Sequence, residues 1–178
     1  MLHGRGVFRV TRHVIGIDPG VSSGIAVVTL EPVPKLVNHL AVRVDRELPS
    51  HVLDGLCGHD IAAVAIESQY VSVNVASALR LAQIAGRWEE AVLAFGGLNF
   101  GQLIGNQPLT TLFWVKPNEW QSHMLSGFVG RRTKRDARKK AAKTIALMRW
   151  GVKLETDVAD AALIAAFQAE RLAFKGMR

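Results

Sequence analysis

Cysteine is almost absent from this 178-residue chain: Cys57 stands alone. That excludes an internal disulfide and a cysteine-based metal cluster, and it fits a reducing compartment such as the cytoplasm. The six histidines show no ligand spacing that would build a zinc site without cysteine. Long apolar runs are missing as well. None reaches the ~18 residues that cross a bilayer, so no membrane association is expected. The N-terminal stretch MLHGRGVFRVTRH is basic, but it lacks the apolar core and small-residue cleavage site of a signal peptide. No internal repeat, low-complexity segment or linker is visible. What remains is rich in core-forming residues: 49% of the chain is hydrophobic and mean hydropathy is +0.17. Those values describe a packed globular chain and exclude a disordered one. We expect a basic N-terminal extension, residues 1–13, followed by a single domain, residues 14–178.

Acidic charge is scarce where basic charge is dense. Between Arg131 and Lys153 ten basic residues face Asp136 alone, a net of +9 in 23 residues against +7 for the whole chain. A short charge run is usually a solvated helix face. A run that exceeds the whole chain's net charge points to a polyanionic partner. Large apolar residues are too few before Ile145 for a helix lying in a membrane surface.

Two β-branched-rich strands, Val14–Ile17 and Gly24–Leu30, are separated by the turn DPGVSSG. An alternating run, Leu36–Val44, reads as a third strand, and Pro49-Ser50 opens a short helix reaching Leu56. The continuous apolar run Ile61–Glu67 reads as a strand buried on both faces. A long helix is predicted over 74–95, ended by Gly96-Gly97. It carries one stripe of large apolar residues and a second of small ones (Ala76, Ala78, Leu79, Ala82) that is either core or a subunit contact. A fifth strand, Leu112–Val115, precedes a short helix in PNEWQSHML, a basic helix over 133–150 and a last helix over 156–173. This succession of strands and helices predicts an α/β domain with a mixed five-stranded sheet flanked by helices.

Within that layout the acids matter. Asp18 ends the first strand and Glu67 the fourth; as parallel neighbours they would emerge at one sheet edge, where α/β folds bind ligands. Asp157 and Asp160, three apart at the head of the last helix, share a face. Taken singly, Asp18 before Pro-Gly is a turn residue, Glu67 an exposed strand-end acid, and Asp157 and Asp160 an N-cap and an N3 residue. Taken together in a basic chain, they describe a hard-cation site, because four close carboxylates repel until divalent ions neutralise them. The chemistry such a site supplies is phosphodiester hydrolysis with two metal ions. The residue pattern therefore points to a metal-dependent nuclease.

The blocks GIDPGVSSGIAVV, AIESQYVSVNVASALRLAQIAG and DVADAALIAA, in this order and spacing, resemble the motifs of the RuvC-type Holliday-junction resolvases, which have the RNase H-like fold. The segment VKPNEWQSHML looks like the short phage- or plasmid-borne members. The resemblance implies four acidic metal ligands at Asp18, Glu67, Asp157 and Asp160, two Mg²⁺ ions with Mn²⁺ as an alternative, and a base-stacking aromatic at Tyr70. The charge run supplies DNA-contacting candidates at Arg131, Arg132, Lys134, Arg135 and Arg138, and the resemblance marks Lys134 as the best match to the family's backbone-contacting residue. A second family lysine falls near Trp120-Gln121, so it is lost or replaced by Lys116. The implied activity is resolution of four-way DNA junctions by paired nicks leaving 5′-phosphate and 3′-hydroxyl ends. The implied assembly is a homodimer through helix 74–95. Two alternatives stand beside it: a nuclease for flaps, forks or ribosomal RNA precursors, and a junction-binding protein that does not cut.

Overall fold

The computed structural model describes residues 11–56, 60–69, 75–98, 110–130 and 133–175. Tyr70, Asn74, Arg131 and Arg132 lie outside them, as do residues 1–10 of the N-terminal extension. Five strands form one sheet: β1 (Arg12–Asp18), β2 (Ser22–Thr29), β3 (Leu36–Arg43), β4 (Asp60–Glu67) and β5 (Thr111–Val115). Five helices, α1 (Pro49–Asp54), α2 (Val75–Leu98), α3 (Pro117–Met124), α4 (Arg135–Trp150) and α5 (Thr156–Lys175), flank it. The spatial order is β3-β2-β1-β4-β5. The first three strands run antiparallel as a meander, while β4 joins β1 in parallel and β5 joins β4 in parallel. The mixed sheet expected from the sequence is thus present, with β1 and β4 as neighbours.

Most boundaries differ from expectation by one to three residues, and three of the differences are instructive. The first strand begins two residues early, so Arg12 and His13 pair with Asp60 and Ile61 of β4 and belong to the sheet. The third strand stops at Arg43, with Val44 buried just beyond it. The long helix does not stop at Gly96-Gly97 but continues to Leu98. Glycine inside a helix costs only about 1 kcal/mol, which the packing of the preceding turns can offset.

Side-chain size differs between the two faces of the sheet. Ile15, Ile17, Ile25, Val27, Val64 and Ile66 point to one face and pack with Leu53, Ile84, Trp88 and Val92 of α1 and α2. The alternate positions are small (Gly16, Gly24, Ala26, Ala63, Ala65), and they meet the alanine-rich α5. A Cβ on Gly16 would stand 2.1 Å from the Ala161 carbonyl oxygen. Small residues on both partners let α5 lie almost on the backbone of β1 and β2. Since side chains alternate along a strand, Asp18 shares this α5 face with Gly16, and Glu67 shares it with Ala65. The pleat therefore aims both strand-end carboxylates at the head of α5.

The second stripe of α2 is not core. Ala76, Leu79 and Ala82 are exposed and Ala78 is half-buried. Among the described residues no helix is long and apolar enough to cross a membrane.

Candidate active site

Asp18 sits at the β1–β2 turn, which is tied from three sides. The Ser23 hydroxyl donates to the Gly20 carbonyl at 2.8 Å and accepts from the Gly20 N–H at 3.2 Å. The same oxygen accepts the indole N–H of Trp88, reaching across from α2, at 3.0 Å. Gln69 Nε2 donates to the Pro19 carbonyl at 3.3 Å, joining the end of β4 to this turn. These bonds fix the backbone immediately after Asp18. At the neighbouring strand end, the register Ile17↔Ile66 places Asp18 beside Glu67.

Asp157 and Asp160 arrive on α5. The helix begins at Thr156, so Asp157 lies inside the first turn and neither residue is the N-cap. Gly24, paired with Asp18 across β1 and β2, underlies this turn. The four carboxyl groups line one open cavity of about 740 Å³, together with Ser68, Gln69, Trp120 and Gln121 and the basic side chains of Arg135, Arg138 and Lys139.

The electrostatics follow from crowding. Burial, then the charges of Glu67, Asp160 and Asp157, push the Asp18 carboxyl well above its usual range, with Lys139 pulling the other way. Asp160 is pushed up to about 7, first by burial and then by Glu67, while Lys139 and Arg135 oppose the rise. Burial also raises Glu67, against hydrogen bonds from Trp120 and Asp18. Two neighbouring carboxylates cannot both ionise cheaply, so each holds its proton more strongly than a free acid. Asp157 instead accepts a 3.1 Å bond from Lys139 Nζ.

These donors are all carboxylate oxygens, the set that suits a hard divalent cation. Among the described residues no group of three or more His, Cys, Asp or Glu side chains is arranged, as it stands, to hold a metal ion. Asp157 is engaged by Lys139. The donor chemistry and the mutual repulsion fit a cation, and one bound by Asp157 would compete with Lys139.

Of the residues singled out from sequence, the fold gathers Asp18, Glu67, Asp157, Asp160, Arg135 and Arg138 into the cavity. Lys134, exposed at the N-cap of α4, and Lys116, exposed at the N-cap of α3, are not in its lining. Sequence reasoning missed Lys139, although Arg135, Arg138 and Lys139 follow the one-face spacing of a helix. It missed the part Trp120 plays; this buried side chain donates its indole N–H to Glu67 Oε1 at 2.7 Å. Gln121, in the Trp120-Gln121 stretch near which the resemblance implied a lysine, accepts a 3.1 Å bond from Arg138 Nη1.

No protein-family model matches the chain, and no curated protein does. Solved structures do. Thermus thermophilus RuvC aligns at 23% identity and a TM-score of 0.65, covering 92% of this chain and 96% of that one. Thermus thermophilus RuvC in complex with a Holliday junction substrate aligns at 22% identity and 0.64, with the same coverage. The yeast mitochondrial Holliday junction resolvase Ydc2 aligns at 17% identity and 0.56, covering 97% of this chain and 84% of that one. Likeness of this kind, over nearly the whole chain, establishes the architecture: the protein has the RNase H-like fold in the form seen in RuvC.

Proposed function

We propose that this protein is a divalent-metal-dependent endonuclease for branched DNA, with four-way junctions as its substrate. The observation that carries the reading is the convergence of Asp18, Glu67, Asp157 and Asp160 from β1, β4 and α5 into one cavity faced by Arg135, Arg138 and Lys139. A site that only bound phosphate would gain nothing from four acids. The RuvC and Ydc2 structures, whose fold the chain shares, are of Holliday junction resolvases.

In this reading the four carboxylates hold Mg²⁺, with Mn²⁺ as an alternative, and the bound ions supply Lewis-acid activation of water and of the scissile phosphate. Asp18, central among the four, takes the largest share of the repulsion and gains most from the cations. Arg135 and Arg138 attract the phosphodiester backbone and hold it over the acids. Lys134, at the N-cap of α4, and Lys116, at the N-cap of α3, add positive charge for the DNA backbone; Arg131 and Arg132 are given the same role from the sequence, and Tyr70 that of a base-stacking platform worth about 1–3 kcal/mol. The products are 5′-phosphate and 3′-hydroxyl ends. Two symmetric cuts need two sites about a two-fold axis, so we assign the exposed small-residue stripe of α2, around Leu79 and Ala82, to a homodimer contact. A broader substrate range, including flaps and forks, is the second reading, favoured by the lack of a lysine at Trp120-Gln121, near which the resemblance implies one.

The substitution Asp18→Asn tests the site. It should abolish cleavage of a four-way junction while leaving junction binding equal or tighter, because a negative charge facing phosphate is removed. A variant that cuts at the wild-type rate would remove the metal-site assignment.

A further inference from the structure

Glu67 is steered from outside its own strand. Its Cα partner in β5 is Val115, and the Ser68 N–H and hydroxyl both donate to the Val115 carbonyl, at 2.8 and 3.3 Å. Two residues later Pro117 opens α3, with Lys116 as N-cap. The first turn of α3 therefore sits at a fixed offset from Glu67, and it delivers Trp120 onto the Glu67 carboxylate. The indole is 1% exposed and packs in the apolar cluster that includes Ala65, Leu125 and Val158, the last from the head of α5. Its rotamer is thereby held by the core, and its single N–H donor is spent on Glu67 Oε1 at 2.7 Å, a short, charge-assisted distance.

The kind of donor matters. Lys139 neutralises Asp157 and must compete with any cation that Asp157 is to bind. An indole N–H orients a carboxylate without bringing positive charge, so it fixes geometry and leaves the demand for a cation intact. We propose that Trp120 is the positioning residue for Glu67, committing one carboxylate oxygen to the protein so that the group is pre-aimed as a metal ligand. The proposal rests on the reading of Glu67 as a ligand for a divalent cation. Partners of this sort, one shell removed from a metal, typically change metal affinity or activity by about 10–100-fold when lost.

The test compares the full-length protein with Trp120→Phe and with a protein carrying benzothienylalanine at position 120, in which sulfur replaces the indole N–H at nearly constant shape. Mn²⁺ binding is measured by calorimetry without DNA, and cleavage of a four-way junction is measured as a function of Mn²⁺. Loss of the N–H should weaken Mn²⁺ binding by about 10–100-fold. It should also lower kcat at limiting Mn²⁺, with recovery at high Mn²⁺ and little change in KM for the junction. Should Trp120→Phe fail to fold, the isosteric analogue decides. Unchanged Mn²⁺ affinity in a folded analogue would overturn the role of Trp120 while leaving the metal site intact. Absence of Mn²⁺ binding in the wild type would overturn the functional reading itself, and with it this one.

Discussion

Gly24 lies so close beneath the first turn of α5 that a Cβ on it would stand 1.9 Å from the carbonyl oxygen of Asp157. Glycine is needed there for space. Gly24 also pairs with Asp18 across β1 and β2. One hydrogen in place of a side chain thus sets the separation between two of the four acids.

Gly24→Ala should accordingly push α5 away from the sheet. The overpacking should cost about 1–3 kcal/mol of stability. An ångström-scale shift of Asp157 and Asp160 should lower kcat by about 100-fold, while junction binding through α4 changes little. Unfolding curves and single-turnover cleavage of the same preparation separate the two effects. Wild-type kcat in the variant would show that α5 docks less tightly than the geometry implies.

Asp18, Glu67 and Asp160 all hold protons more strongly in the folded protein than as free carboxylic acids, so the folded state binds more protons than the unfolded one. The stability they contribute is complete below the usual carboxylate range near pH 4. It is lost as pH rises through the folded values, about 7 for Asp160. In EDTA, thermal stability should therefore fall between pH 5 and pH 8. Asp160→Asn should flatten that fall and raise Tm at pH 8 by roughly 3–6 °C, corresponding to 1–2 kcal/mol. Added Mg²⁺ should stabilise the wild type at pH 8 and hardly at all at pH 5. A Tm that rises with pH across this window in EDTA would contradict the burial of these acids.

The cavity's cationic rim predicts salt-dependent binding. In EDTA, log Kd for a four-way junction should follow log salt with a slope of about 0.9 per phosphate neutralised. Arg135→Gln and Arg138→Gln together should reduce the slope by about 1–2. A slope unaffected by both substitutions would move the DNA off the face of α4.

Much of this site is legible in the sequence because strand parity and helix period are local rules. Asp18 and Glu67 end apolar runs, and a single parallel pairing of those runs brings them together. Asp157 and Asp160 share a helix face by spacing alone. The long helix overruns its glycine pair because packing of Trp88, Val92 and Phe95 outweighs a weak local stop signal. Trp120 carries no such signature. Nothing in PNEWQSHML says that its tryptophan meets an acid 53 positions earlier, since that contact depends on β5 pairing with β4 and on the angle at which α3 leaves it. Gly24 is similarly silent, because a turn glycine and a glycine under a helix look alike in one dimension.

Cleavage by the purified protein of end-labelled four-way junction, flap, fork and linear duplex, in Mg²⁺ and in EDTA, tests the central claim most directly. The account predicts Mg²⁺-dependent, symmetric nicks on opposed strands of the four-way junction, sealable by ligase, with little cutting of linear duplex. Tight junction binding without cleavage in any divalent metal would contradict it.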